Sequence, residues 1–155
     1  MLTKAVDVLA VEAKKQKSIY PQPFAAMMEG RSKRVLGDLF GLNNFGVNLT
    51  TLAPGAMSAL QHVHSVQDEF IFVLQGQPTL VLGNDRQLLS PGMAMGFPAG
   101  GQAHQLLNES DAEVIYLEVG DRLPGDSAYY PNDDLQALMG EEGGWTFKHK
   151  DGREY

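Results

Sequence analysis

The sequence predicts an all-β fold, a sandwich or barrel made by one domain. Three observations carry this. The 17 glycines and 8 prolines fall between short apolar runs, as they do where many turns join many strands. Those runs recur at intervals of about 8 to 12 residues. Where a run is long enough to read, it alternates: Phe45, Val47, Leu49 and Thr51 fall on one face, Asn48 and Thr50 on the other. At 155 residues and 43% apolar content, the chain can fill one sizeable core.

Taken in order, the first thirty residues fit either period. Val6, Leu9, Ala10 and Ala13 suit a helix, while Ala5 to Val11 also alternates, and Pro21 and Pro23 predict an extended passage. Arg34 to Phe40 is expected as a strand, turned by Gly41 to Asn44 into a second over Phe45 to Leu52. Pro54-Gly55 turns the chain into Ser58 to His64. Ser65 to Asp68 is a polar break before the apolar strand Glu69 to Leu74. Strands are then expected over Thr79 to Leu82, Gln87 to Leu89, Met93 to Phe97, Ala103 to Asn108 and Ala112 to Val119, with Gly, Pro, Asn and Asp between them. In the tail, Asn132-Asp133-Asp134 predicts the cap of a short helix running to about Met139 and ended by Gly140. Trp145 to Lys150 predicts a last strand. This divides the chain into an N-terminal arm (1–33), a barrel (34–120) and a C-terminal extension (121–155) packed on it.

Composition narrows the function classes. There is no cysteine, so any metal here needs nitrogen and oxygen ligands. The net charge is -7, and the only basic clusters, Lys14-Lys15-Gln16-Lys17 and Arg31-Ser32-Lys33-Arg34, read as solvated segments rather than a nucleic-acid surface. No apolar run is long enough for a membrane span, and the N-terminus does not read as a signal peptide. These features set the expectation of a cytoplasmic protein with neither nucleic acid nor membrane as partner.

The chemistry concentrates between Pro54 and Gly76. His62 and His64 lie two apart, so on a strand their imidazoles share a face and can share an ion. A downstream carboxylate can add a third ligand. Glu69 has the opposite parity to the histidines, so it reaches them only if Ser65 to Asp68 resets the register; on an unbroken strand Asp68 would face inward instead. Asn48 and Gln102 are candidates to line the pocket, and Arg34, with Arg31 and Lys33, is a candidate phosphate anchor. His149, between two lysines, is expected at the surface.

Two motifs give this region a resemblance. In the first, Gly55 is followed by His62-Val63-His64, then Glu69, then Gly76. In the second, Gly92 is followed by Pro98-Ala99-Gly100, His104 and Asn108. In this order and spacing they resemble the paired motifs of the cupin superfamily. The flanks GRSKRVLGDLFGLNNFGVN and YLEVGDRLPGDSAYYPNDDL are similar to those of single-domain bacterial cupins labelled sugar-phosphate isomerases. Three departures stand out: one extra residue between Gly55 and His62, an extra Gly101 before His104, and Met93 where an aspartate is common.

The resemblance implies a jelly-roll barrel, a homodimer, and one divalent transition metal (Fe, Mn, Ni, Zn, Co or Cu) held by His62, His64, Glu69 and His104. It implies a metal-dependent enzyme acting on a small oxygenated substrate, first of all a sugar or sugar-phosphate isomerase. The alternatives are a dioxygenase with the same ligands and a non-catalytic sugar-binding cupin. No general acid or base is identifiable from the sequence.

Overall fold

The computed structural model describes residues 2–14 and 18–155. β1 (Arg31–Val35) is joined to β2 (Phe45–Leu52) by a single helical turn, α1 (Leu36–Leu39). Then come β3 (Val63–His64), β4 (Glu69–Gln75), β5 (Thr79–Leu82), β6 (Asp85–Leu88), β7 (Ala94–Phe97), β8 (His104–Leu107) and β9 (Val114–Asp121). The extension adds β10 (Ser127–Tyr129), β11 (Gln136–Met139) and β12 (Trp145–Lys148). The strands form three antiparallel sheets in the orders β1-β2-β9-β4-β7, β12-β11-β10-β3 and β6-β5-β8. This is the expected all-β jelly roll.

Alternation decides which side chains fill it. Leu52, Val73 and Val114 are fully buried and pack with Leu80, Leu106 and Tyr116 in the barrel core. Each such aliphatic side chain contributes about 1.5–3 kcal/mol. A second cluster joins Phe24 and Met28, on a 3-10 turn (Phe24–Met28), to Leu60, Ala128, Leu135 and Ala137. It ties both chain ends to the barrel. Gly76, which closes the first motif, has φ +78°, and a Cβ there would lie 2.5 Å from the Glu113 carbonyl oxygen. Only glycine fits that turn.

Several boundaries differ from expectation. The strand expected over Arg34 to Phe40 lies earlier, at Arg31–Val35, and gives way to α1. The helical turn sits flush on β2: a Cβ on Gly37 would lie 3.0 Å from the Val47 nitrogen. The passage around Pro21 and Pro23 turns into the 3-10 helix rather than extending. Ser58 to His64 keeps strand pairing only at His62↔His104 and in β3, with Met57 just before it bridged to Leu107. No helix forms after Asn132, because Gln136–Met139 finds a strand partner on each side, β10 and β12. Two flanking ladders outweigh a capping signal.

The N-terminal arm runs along the barrel, with Leu2 donating to the Leu39 carbonyl and Lys14 to that of Lys33. Lys15, Gln16 and Lys17 of the first basic cluster lie outside the described residues. Among those described, no helix is long and apolar enough to cross a membrane.

Candidate metal centre

The register reset that Glu69 requires is present. After β3 the chain leaves strand geometry at Ser65 and regains it at Glu69. Glu69 then pairs with Gly120 of β9 and Phe97 of β7. The Glu69 side chain packs over Gly120, where a Cβ would lie 3.6 Å from Glu69 Cγ, an ordinary packing distance. His62 and His104 meet through reciprocal main-chain bonds, His62 N to His104 O at 3.1 Å and His104 N to His62 O at 2.8 Å.

All three imidazoles converge on one carboxylate oxygen. Glu69 Oε2 lies 3.0 Å from His104 Nε2, 3.4 Å from His62 Nε2 and 3.5 Å from His64 Nε2. His62, Glu69 and His104 each offer a donor atom within 4.8 Å of the others; His64 stands outside this trio. Each ring is fixed differently. His62 Nδ1 donates to the Leu60 carbonyl at 2.8 Å. His64 Nδ1 donates to Asp126 Oδ2 at 2.5 Å. His104 stacks on Phe97, with centroids 3.6 Å apart and planes within 2°.

These partners decide the tautomers. A carbonyl and a carboxylate only accept, so His62 and His64 each carry a proton on Nδ1, which leaves Nε2 as the nitrogen turned toward Glu69 and available to a shared ion. Burial works to raise the Glu69 pKa, but hydrogen bonds from His104 and His62 and the charges of His62 and His64 outweigh it, holding the carboxyl well below its ordinary range. Burial pushes the His104 imidazole below its ordinary value, against the opposing hydrogen bond to Glu69. The cluster therefore gathers three imidazoles around one ionised carboxylate, a set of nitrogen and oxygen donors that a divalent cation would satisfy. Three nitrogens and one oxygen suit a borderline transition metal.

The cluster opens into a cavity of about 460 Å³. Asn48 lines it, as the sequence suggested, and its Nδ2 donates to Glu118 Oε1 at 3.0 Å. Lys33 Nζ lies 2.5 Å from the same oxygen. Arg34 and Gln102 do not line the cavity. On β1 the inward positions are Arg31, Lys33 and Val35, while Arg34 Nε donates to the Val11 carbonyl at 2.9 Å. The Gln102 side chain packs at Gly83, with Oε1 3.2 Å from where a Cβ would stand. Asp68, the rival to Glu69, accepts from the Ala99 N–H at 2.8 Å and is exposed.

Comparison with known proteins agrees with the geometry. Residues 48–120 match the cupin domain. The crystal structure of a sugar phosphate isomerase of the cupin superfamily from Silicibacter pomeroyi DSS-3 is 40% identical, with 98% of this chain and 96% of that one covered at a TM-score of 0.91. The chain is a cupin. A second structure, from Acidithiobacillus ferrooxidans and provisionally named a sugar phosphate isomerase, is 31% identical over 81% of this chain and 80% of that one, with a TM-score of 0.74. A polyketide cyclase from Streptomyces resistomycificus is 23% identical over 77% of this chain and 80% of that one, at a TM-score of 0.63, which marks a shared fold. No match is found among curated proteins.

In this cupin the structure adds site residues that the motifs do not mark. Lys33, Glu118 and Tyr116 reach the cavity from the five-stranded sheet. Burial pushes the Tyr116 phenol well above its ordinary pKa, so it stays protonated. Tyr130 and Trp145 come from the extension. Tyr130 stacks on His62 and Trp145 meets His64 edge-on, both at 5.8 Å between centroids. Alternation of Tyr116 and Glu118 on one strand was the available signal; for Tyr130 and Trp145 there was none.

Proposed function

We propose that this cupin is a metal-dependent isomerase of small polyhydroxylated carbonyl compounds, with sugar phosphates as the leading substrate class. The convergence of three imidazoles and Glu69, in a cavity that also holds the Lys33–Glu118–Asn48 group, carries this reading. A divalent transition metal held by His62, His64, Glu69 and His104 would supply Lewis-acid polarisation of adjacent substrate oxygens. Glu69 is committed to the cluster and is a poor choice of base. Glu118 is another carboxylate on the wall, and it can take a proton from a carbon beside a carbonyl and return it to the neighbouring carbon. Lys33 and Asn48 hold it in place. Arg31 and Lys33 give the cavity a cationic side suited to a phosphate. Tyr130 and Trp145 offer flat faces to a sugar ring. The names of two relatives above 30% identity point the same way.

The test is a panel of aldose and ketose phosphates with protein loaded in turn with Mn, Fe, Co, Ni and Zn. Isomer formation and exchange of the substrate C–H with solvent deuterium are followed by NMR, with an oxygen electrode in parallel. Isomerisation without oxygen uptake is expected. Oxygen uptake without isomer would replace this reading by the dioxygenase one; tight binding with no product would replace it by a binding cupin.

We also read the protein as a homodimer without nucleic-acid or membrane partners. Phe45 and Phe70, exposed beside Val119 around one shallow depression, support an apolar contact on the outside of the barrel. Light scattering tests it, with a monomer at micromolar concentration as the adverse result.

A further inference from the structure

The polar break that resets the register is held from far along the chain. Asp126 lies just before β10, and its side chain is fully buried. Its Oδ1 accepts from the main-chain N–H groups of Val66 at 2.9 Å, Ser65 at 3.0 Å and Gln67 at 3.4 Å, and from the Ser65 hydroxyl at 3.2 Å. Its Oδ2 takes the Nδ1 proton of His64 at 2.5 Å. One carboxylate thus shapes the loop between two ligands and orients one of them.

The other histidines need nothing comparable. A main-chain carbonyl fixes His62 and an aromatic face fixes His104. His64 is the ligand outside the tight trio, and its orientation alone depends on a charged side chain from beyond the matched cupin region. An Nδ1–H tautomer leaves the His64 Nε2 lone pair facing Glu69; the opposite tautomer would put a proton there and remove the donor.

We propose that Asp126 is the positioning residue that makes His64 a metal ligand, so that the C-terminal extension sets the metal affinity of the barrel. This rests on reading the cluster as a metal centre. In Asp126→Asn an amide replaces a carboxylate of the same size. Its oxygen can still accept from the loop N–H groups. Its NH2 then faces His64 Nδ1 and favours the wrong tautomer.

The experiment is a double-mutant cycle on the full chain: wild type, D126N, H64A and D126N/H64A. Zinc and cobalt affinities are measured by competition with a chromophoric chelator, and histidine ring tautomers by long-range proton–nitrogen NMR on metal-free protein. D126N should weaken metal binding about 10- to 100-fold, move His64 away from the Nδ1–H tautomer, and alter the visible spectrum of the cobalt form. In the H64A background D126N should cost nothing further, because its target is gone. Wild-type affinity in D126N would overturn the proposal. So would an equal loss with and without His64, which would assign Asp126 to the loop alone. A wild-type protein that binds neither metal sinks the metal reading itself, whereas the tautomer measurement reports the Asp126 contact either way.

Discussion

Two histidine–aspartate pairs in this molecule share one geometry and have different consequences. His64 Nδ1 meets Asp126 at 2.5 Å, and His149 Nδ1 meets Asp134 at 2.7 Å. The Asp126 side chain is 0% exposed and that of Asp134 is 58% exposed. Both carboxylates also accept main-chain N–H bonds, Asp134 from Lys150 at 2.9 Å. The difference lies at the far nitrogen. The Nε2 of His64 faces Glu69 and the other imidazoles, while His149 stacks on Tyr155 at 3.9 Å in solvent contact. A histidine–carboxylate pair becomes functional where the ring's other face has something to hold.

Removing the charge of the shared carboxylate should break the buried side of this comparison most severely. Glu69→Gln takes away the only anionic donor, and the loss in metal affinity should exceed the roughly 100-fold upper range for an outer residue. Elemental analysis of the purified variant checks it, and a full metal complement would contradict the ligand assignment.

Stability separates the pairs next. Asp126→Ala leaves a buried His64 N–H and three loop N–H groups without their acceptor, and it should destabilise the metal-free protein by about 3 kcal/mol in urea titrations. Asp134→Ala should leave the midpoint where it was, because water replaces its partners. Equal effects at both sites would mean that burial is not what distinguishes them.

Acid sharpens the contrast further. Burial lowers the His104 pKa, so the unfolded chain takes up that proton first, and metal-free stability should begin to fall as the pH drops through about 6.5. Burial alone would raise the Asp126 pKa, but the Val66 N–H and His64 outweigh it, and the net shift is downward. Its contribution is present above about pH 3.9 and is lost as the pH falls through the folded-state value. A stability–pH curve should therefore lose its upper shoulder in His104→Gln and its lower one in Asp126→Asn. The smallest effect should come from His149→Ala, with metal affinity unchanged in the same chelator competition.

The sequence displayed most of the cluster well because three of its four residues are local, with His104 found through the second motif. His62 and Glu69 sit seven residues apart, and parity leaves two outcomes, a break that brings in Glu69 or an unbroken strand that brings in Asp68. Asp126, which holds that break, is 62 residues from His64, and nothing in the segment around it marks it as a partner. Of the three basic residues Arg31, Lys33 and Arg34, composition alone does not say which face the cavity. On the strand Arg31–Val35, alternation puts Arg31 and Lys33 on the face opposite to Arg34. The tail helix failed for a different reason. A cap signal describes a segment alone, and Gln136–Met139 is flanked by two strands.

Protein engineers often move a functional motif by cutting out its recognisable domain. Here such a cut at residues 48–120 would carry all four donors and leave Asp126 behind. The transplanted barrel would have its ligands in sequence, with one imidazole free to rotate and the loop beside it free to slip. Any graft of this centre has to bring the strand that follows Asp126 along with it, since the carboxylate that steers His64 belongs to a segment that contributes no donor of its own.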